Sequence, residues 1–250
     1  MAFTEFHYYS ETLEIDVSVN VILPETRVMA QQEGKPLPTL YLLHGLSDDH
    51  THWVRQTRLE FYARKYRLAI IMPCVNRSFY TDMAHGPRFF TYLTEELPEI
   101  MQAMFKIPAD PAHTYVGGLS MGGYGALKCA LRAGDVFSRG ASLSGAADIR
   151  QLPPGGYWED VFGPREQIPG SFNDLFAAAE ALPPENRPPL YMWCGTEDSL
   201  LPGNHALRDH LLALGYDLTY AESVGNHAWQ WWDLHIQDVL RWLFPQTEMK

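Results

Sequence analysis

The sequence is poor in positive charge. Its 19 lysines and arginines stand against 30 aspartates and glutamates, which gives a formal net charge of −11. Binding to nucleic acid or to an anionic membrane surface requires Lys and Arg clustered on one face, and the sequence has no such cluster. We therefore expect neither a nucleic-acid nor a membrane partner.

Cysteine, long apolar runs and nucleotide-binding motifs are also scarce. The three cysteines, Cys74, Cys129 and Cys194, are widely separated and indicate neither a disulfide framework nor a zinc site. No apolar run reaches the ~20 residues that span a bilayer, and no signal segment is visible. There is no G-x-G-x-x-G or Walker-type loop for nucleotides. The absence of a signal segment and of a membrane-spanning run favours a cytoplasmic protein.

One short loop contains several potential metal ligands: Asp48, Asp49, His50 and His52. Zinc would need a further nitrogen or sulfur ligand, and a hard cation would need several convergent oxygens in a defined loop. Neither is evident, so we interpret this segment as a structural loop. We expect no metal and no other cofactor.

The chain alternates strand-like and helix-like segments, which predicts a single α/β domain over residues 1–250. Residues 5–23 alternate as in an antiparallel strand. Later runs are continuously apolar, as in strands buried on both faces: 39–43, 68–72, 114–116, 141–143, 190–194 and 218–221. Helical spacing occurs between them: 91–105, 121–132, 205–214 and 229–243. The pattern predicts a mostly parallel sheet of about eight strands, flanked by helices.

Residues 148–189 interrupt this alternation with a stretch rich in proline and glycine. A long irregular insertion in a compact domain is commonly a functional loop. We predict a small cap or lid here, with one helix at residues 172–182.

A G-x-S-x-G motif at residues 118–122 lies between a predicted strand and a predicted helix. In that context the serine stands on a sharp turn, with its hydroxyl exposed at the start of the helix. We predict that Ser120 is a nucleophile. The alternative is a tight glycine-rich turn with a spare hydroxyl.

A serine nucleophile needs a histidine base and an acid that orients it, and on a parallel sheet these follow in the order Ser, Asp or Glu, His. His227 lies between the last predicted strand and the last helix, whereas His235 falls inside that helix. Asp198 follows the strand at 190–194, where an acid is expected. Glu197 and Asp148 are the alternative acids.

The oxyanion of a tetrahedral intermediate needs two backbone N–H donors. We predict that these are Met121, directly after the nucleophile, and Leu46, in the loop after the strand at 39–43. Gly45 permits close approach of that loop to a substrate. We interpret His44 as a structural ring that supports the loop.

Several aromatic side chains fall in loops near these residues and are candidates for the walls of an acyl pocket: Trp53, Tyr80, Trp158 and Trp229. Each could instead pack in the core, as large aromatic side chains commonly do.

Taken together, the motifs resemble those of the esterase D and tributyrin-esterase group of α/β hydrolases, which also contains S-formylglutathione hydrolases. The likeness covers residues 5–245 and is carried by these stretches: 42–47, 72–73, 79–82, 94–98, 117–126, 144–145, 194–198 and 225–229. The resemblance implies the α/β-hydrolase fold, hydrolysis of small acyl esters, and a triad of Ser120, Asp198 and His227. The likeness is greater to tributyrin and acetyl esterases.

We therefore expect a serine carboxylesterase that cleaves acetyl to butyryl esters through an acyl-enzyme, with acetylated sugars among its substrates. The alternatives are an S-formylglutathione hydrolase, a feruloyl- or xylan-type carbohydrate esterase, an acyltransferase, and a non-catalytic binding protein. A homo-oligomer is compatible with the sequence.

Overall fold

An eight-stranded sheet forms the centre of the molecule. It is seen in a computed structural model, which describes residues 1–25, 37–107 and 109–245. The strands in chain order are β1 (Ala2–Ser10), β2 (Ile15–Leu23), β3 (Thr39–Leu43), β4 (Ala69–Pro73), β5 (Thr114–Leu119), β6 (Arg139–Leu143), β7 (Leu190–Gly195) and β8 (Leu218–Ser223). Their spatial order is β1-β2-β4-β3-β5-β6-β7-β8. β1 and β2 pair antiparallel, as do β2 and β4, and every pairing from β4 to β8 is parallel.

Helices cover both faces of the sheet. They are α1 (His52–Gln56), α2 (Leu59–Ala63), α3 (Phe89–Thr91), α4 (Leu97–Phe105), α5 (Met121–Arg132), α6 (Tyr157–Phe162), α7 (Leu175–Ala181), α8 (Leu201–Ala213) and α9 (Trp229–Leu243). Short 3₁₀ turns lie at Arg64–Tyr66, Pro111–His113, Ile149–Gln151, Arg165–Gln167 and Pro184–Asn186. No helix in the described ranges has the length and apolar character to cross a membrane.

The continuous apolar runs are explained by two cores, one on each side of the sheet. Along β3, Tyr41 and Leu43 belong to one core, and Leu40 and Leu42 to the other. Successive side chains of a strand point to opposite faces, so a strand covered on both faces is apolar throughout. The predicted sheet of about eight strands is confirmed.

The alternating segment at 5–23 is two strands rather than one. β1 and β2 form a hairpin whose turn is closed by a hydrogen bond from Glu14 N–H to Ser10 O, 2.8 Å. Glu14 has a φ of 57°, and the alternation of apolar and polar residues in the sequence continues through the turn. Val17 is buried in β2, whereas Ile15, at the start of the strand, is 41% exposed.

The helical spacing at 91–105 corresponds to three segments that follow one another without a break. Between α3 and α4, Tyr92–Glu96 is π-helical, and Leu97 N–H donates to Tyr92 O, five residues back. Pro98 lies in the first turn of α4 and has no N–H to donate. The wider π-helical turn thus lies directly before the turn that contains the proline, and the helix continues through both.

The insertion at 148–189 has two α-helices where one was predicted. The expected helix is α7, which has seven residues and is shorter than the predicted range 172–182. The unexpected one is α6, six residues long between Gly156 and Gly163, whose φ values are +57° and +78°. A helix of fewer than two turns shows no clear periodicity in the sequence. α6 packs inward through Phe162, whose ring centroid lies 5.3 Å from that of Phe79.

Candidate active site

Ser120 occupies the sharp turn between β5 and α5, with φ 54° and ψ −117°. A residue other than glycine seldom adopts a positive φ, and such strain persists only where the surroundings hold it. Here Ser120 N–H donates to Leu143 O at 3.0 Å, and Ser120 O accepts from the amides of Tyr124 and Ala146, each at 3.1 Å. The end of β6, the loop after it and the first turn of α5 thus fix the serine in place.

The glycines of the motif are required by close contacts between backbones. A Cβ added to Gly118 would lie 2.4 Å from Gly122 O, and one added to Gly122 would lie 2.3 Å from Leu43 O. No side chain fits at such distances. The two glycines therefore let the start of α5 contact both its own strand and β3.

The structure brings together the three residues that the sequence selected. His227 Nε2 lies 2.9 Å from Ser120 Oγ, and His227 Nδ1 lies 2.8 Å from Asp198 Oδ2. The Asp198 side chain is fully buried, the imidazole of His227 is 35% exposed, and Ser120 is partly exposed. The chain of hydrogen bonds thus runs from a buried carboxylate to a hydroxyl that a substrate can reach.

Asp198 is held as a carboxylate. Burial alone would raise the pKa of its side chain, but hydrogen bonds from His227 and from Leu200 N–H outweigh this effect and lower the pKa. The Leu200 amide lies 2.9 Å from Oδ1. The other two candidate acids are placed differently, since Glu197 is exposed and Asp148 pairs with Arg150 at 2.7 Å.

His235, the alternative base, is a packed residue of α9. Its ring stacks on Trp193 with centroids 4.0 Å apart, and its nitrogens contact Asp238 Oδ2 at 2.7 Å and Ser223 Oγ at 3.1 Å. It therefore helps to join α9 to the sheet.

Two residues next to His227 were not singled out as site residues from the sequence. Trp232 presents the edge of its indole to the His227 ring, and its Nε1 donates to Ser144 Oγ at 3.2 Å. The Ser144 side chain in turn contributes to the lowered pKa of Asp198. Ser144 has a φ of 49° directly after β6. Its place at the carboxyl end of a parallel strand is the signal that could have identified it.

The amides of Leu46 and Met121 are free to donate to a substrate. Neither N–H has a protein acceptor within the described ranges, and Met121 is the first residue of α5, where a helix leaves its N–H groups unpaired. The Leu46 loop is held by Gly45 N–H, which donates to Asp48 Oδ2 at 3.2 Å, and by Asp48 N–H, which donates to Gly45 O at 3.2 Å.

Trp53 and Tyr80 lie beneath this loop, and the expectation that they contact the substrate is corrected. Both are fully buried. Trp53 Nε1 donates to Leu43 O at 3.0 Å, and Tyr80 Oη donates to His44 O at 2.9 Å. They satisfy carbonyls at the end of β3, where buried polar groups need partners.

The buried ring of His44 also supports the loop. Its Nε2 accepts from Val75 N–H at 3.2 Å, and its Nδ1 lies 2.8 Å from Gly45 O. With Nε2 accepting, the proton lies on Nδ1. His44 thus links β3 to the segment after β4.

Trp158 and Trp229 are partly exposed, and their contact with a substrate stays a prediction. Trp229 begins α9, with ring centroids 5.4 Å from Trp232 and 6.1 Å from His52. Trp158, in α6, lies with its ring centroid 5.4 Å from that of Phe79.

The acidic and histidine loop at 48–52 is a hydrogen-bonded turn. Asp49 Oδ1 accepts from Thr51 N–H at 2.8 Å and lies 3.1 Å from His52 Nδ1. These bonds outweigh the effect of burial and lower the pKa of the Asp49 carboxyl. Within the part of the chain that the structure describes, no group of three His, Cys, Asp or Glu residues is placed to hold a metal.

Lys128 joins α5 to the insertion, a contact that the sequence did not reveal. Its ammonium is fully buried and donates to Asn173 Oδ1 at 2.7 Å, Thr81 Oγ1 at 3.0 Å and Tyr80 O at 3.3 Å. Tyr124, also on α5, donates to Asn173 O at 2.7 Å. Burial lowers the pKa of Lys128 to about 7.

A hydroxyl, an imidazole and a buried carboxylate in this order can perform acyl transfer. The imidazole accepts the hydroxyl proton while the carboxylate fixes its orientation and stabilises its positive charge. Two free amides beside the serine can stabilise an oxyanion.

Comparisons with known proteins agree with this chemistry. A family model described as "Putative esterase" matches residues 10–243. The chain is similar to the acetyl esterase of Caldicellulosiruptor saccharolyticus, at 30% identity over 261 residues, with 97% of this chain and 98% of that protein covered.

Two solved structures from Staphylococcus aureus are also similar, each 31% identical with 97% of this chain and 98% of theirs covered. One is fluorophosphonate-binding serine hydrolase F, substrate bound, with a TM-score of 0.88. The other is the apoenzyme of S-formylglutathione hydrolase (FrmB), with a TM-score of 0.86.

Proposed function

The chain belongs to the esterase family and is a carboxylic ester hydrolase with the α/β-hydrolase fold, and we propose that Ser120, His227 and Asp198 are its catalytic triad. The observation that carries this assignment is the pair of contacts at 2.9 Å and 2.8 Å that joins the three side chains.

In the proposed reaction Ser120 Oγ attacks the ester carbonyl while His227 Nε2 takes its proton. The negative charge that forms on the carbonyl oxygen is bound by the amides of Leu46 and Met121. His227 then gives its proton to the departing alcohol, and the acyl group remains on Ser120. Water, activated by the same imidazole, releases the acid and restores the serine.

Asp198 stays ionised through this cycle because its pKa is lowered in the folded protein. A carboxylate there keeps the proton of neutral His227 on Nδ1, so that Nε2 is the atom that accepts. The same negative charge stabilises the imidazolium that forms during the attack.

We propose short acyl esters, acetyl to butyryl, as the substrates. The similarity to a protein named acetyl esterase supports this choice. The position of Trp229, two residues after His227 and partly exposed, supports a role for its ring as a wall near the acyl group. Trp158 is proposed as a second wall, contributed by the insertion.

Replacement of Ser120 by Ala tests the assignment. Hydrolysis of p-nitrophenyl acetate should fall by at least ~10³-fold and labelling by a fluorophosphonate should cease, while the circular dichroism spectrum stays unchanged. Ser199→Ala, an exposed serine next to Asp198, is the matched control and should retain both properties. Near wild-type turnover by Ser120→Ala would remove this residue from the mechanism.

A thioesterase of the S-formylglutathione type is the second candidate, because a protein of that name is as similar to this chain as the acetyl esterase is. A panel of acetyl, butyryl, octanoyl and feruloyl esters, run beside S-formylglutathione, separates the two. We expect the largest kcat/KM for acetyl or butyryl esters. A kcat/KM at least tenfold larger for S-formylglutathione would favour the thioesterase.

A cytoplasmic location is also proposed, supported by three cysteines that are all free. Fractionation of source cells should place the activity in the cytoplasm, and its recovery from the medium would contradict this.

A further inference from the structure

The two edge strands of the sheet differ in length. At one edge, β8 has six residues, and its Glu222 is hydrogen-bonded to His205 and to Arg208 of the same chain. At the other edge, β1 has nine residues, and neither edge strand contains lysine, arginine or proline. Among the described residues, only β2 pairs with β1. Exposed edge strands in monomeric proteins are usually interrupted by such residues, because they otherwise pair with another chain.

The side chains of β1 form two distinct rows. The odd-numbered row is exposed and consists of Phe3, Glu5, His7 and Tyr9, with Phe3 45% and Tyr9 54% exposed. The even-numbered row packs towards the core, where Phe6 stacks on Tyr8 at 5.2 Å and meets Phe105 edge-on at 5.3 Å.

We propose that β1 pairs antiparallel with β1 of a second copy of this chain, about a two-fold axis that passes beside Phe6. Each residue then faces its counterpart at equal distance from Phe6. Glu5 faces His7 of the second copy, and Phe3 faces Tyr9 of the second copy. Two eight-stranded sheets become one of sixteen strands, as the interface is used identically by both copies.

The order of residues around Phe6 is self-complementary. Aromatic pairs and acid–base pairs directly opposite one another stabilise an antiparallel sheet, whereas like charges destabilise it. In this register the exposed row reads aromatic, acidic, basic, aromatic from either copy. Phe6 itself faces Phe6 of the second copy on the other side of the sheet.

Neighbouring registers lack this match. A two-fold axis perpendicular to the sheet keeps the odd-numbered side chains of both copies on the same face. Such an axis passes beside a residue and not between two residues, so the neighbouring registers have the axis beside Glu5 or beside His7. Centred on Glu5, the pairing sets two carboxylates opposite one another. Centred on His7, it sets two imidazoles opposite one another and leaves Glu5 facing Tyr9. Pairing centred on Phe6 also engages all nine residues, whereas either shift loses two.

His7 already presents the nitrogen that this contact requires. Ser18 Oγ lies 2.9 Å from His7 Nδ1, and when it donates there the ring proton is on Nε2. That Nε2 lies 3.7 Å from Glu5 Oε1 of the same strand, too far for a direct hydrogen bond. Across the proposed pair, the Glu5 carboxylate of the second copy lies directly opposite His7, at a distance over which paired side chains interact.

The interface is separate from the proposed triad. β2, β4 and β3 lie between β1 and β5, after which Ser120 stands. Loss of pairing should therefore leave ester hydrolysis unchanged, and failure of the catalytic assignment would not affect the pairing.

Sedimentation equilibrium of the full chain tests the proposal. Wild type should have twice the 28.5 kDa chain mass, about 57 kDa. His7→Glu and Glu5→Lys should each raise the dimer Kd about tenfold, because each change alters two symmetric contacts at once. The double variant Glu5→Lys/His7→Glu exchanges the charges and should return Kd to within about threefold of wild type. Thr219→Lys, exposed on β8, is the control and should not change Kd.

A cysteine at the centre reports the register. Residues directly opposite in an antiparallel pair have Cα atoms about 4.5–5.5 Å apart, which suits a disulfide. Oxidised Phe6→Cys should form a covalent dimer, and Thr219→Cys should not. A wild-type monomer at 100 µM, or a dimer whose Kd is unchanged from wild type in both single charge variants, would overturn the proposal.

Discussion

Trp232 meets the ring of His227 edge-on, with centroids 4.9 Å apart and planes at 85°, while its indole N–H donates to Ser144 Oγ. An edge-to-face contact between aromatic rings fixes their relative orientation. The tryptophan thus holds the imidazole from the side, and Asp198 holds it from one end.

Trp232→Phe keeps a ring but loses the hydrogen bond to Ser144. We expect kcat for p-nitrophenyl acetate to fall about tenfold with little change in KM, because a misplaced base slows the chemical step. Trp242→Phe, on the same helix but next to Tyr191, is the control. Equal kcat values for the two variants would mean that Trp232 does not position His227.

Asp198→Asn keeps the shape of the side chain and removes its charge. An amide can present a donor to His227 Nδ1 and favour the wrong tautomer, so kcat should fall by about 10³–10⁴. Steady-state kinetics beside Asp148→Asn, whose carboxylate pairs with Arg150, would measure the difference. A loss below tenfold in Asp198→Asn would contradict the proposed triad.

Gly45→Ala tests the loop that carries the Leu46 amide. The added Cβ would lie 2.7 Å from Asp48 Oδ2 and 2.9 Å from Leu119 Cδ1, so both side chains must move, and the bond from Gly45 N–H to Asp48 that holds the loop is disturbed. We expect kcat to fall by at least ~tenfold, since loss of one oxyanion donor costs about 10²–10³ in well-studied enzymes. Gly134→Ala adds the same methyl group in open space and should behave as wild type. Unchanged kcat in Gly45→Ala would remove this loop from the oxyanion site.

Lys128 makes stability depend on pH. Its pKa is about 7 in the folded protein, and its ordinary value is 10.5, so the unfolded chain binds more protons between these values. The resulting stabilisation is complete above pH 10.5 and is lost as the pH falls through about 7.

Urea unfolding of wild type and Lys128→Met at pH 6.5, 8 and 9.5 would measure this effect. The free energy of unfolding of wild type, relative to the variant, should rise with pH by on the order of a few kcal/mol. Other titrating groups are shared by both proteins and cancel. A difference that does not vary with pH would show that the ammonium is not titrating in this range.

The sequence predicts the centre of this fold well because the local pattern and the packing agree there. The runs at 39–43 and 190–194 are apolar throughout, and both become strands covered on two faces. The esterase resemblance from the motifs is confirmed by the family match. Ser120, Asp198 and His227 could be selected together from the sequence because the topology fixes their order along the chain and their positions after strands.

Features that depend on distant partners were not predictable. Trp53 and Tyr80 resemble pocket residues in the sequence, but their burial is decided by the carbonyls of Leu43 and His44 that they reach. Nothing in the sequence distinguishes Lys128 from other lysines of a helix, because its acceptor Asn173 lies 45 residues further along the chain. The hairpin turn in residues 11–14 was hidden because the strand-like alternation continues across it.

The bonds from Lys128 and Tyr124 to Asn173 fasten the insertion to α5, the helix that begins directly after Ser120. Movement of the insertion away from α5 would remove the acceptor Asn173 from the Lys128 ammonium, which is enclosed by aromatic rings. Displacement of the insertion from α5 therefore requires these partly buried hydrogen bonds to break.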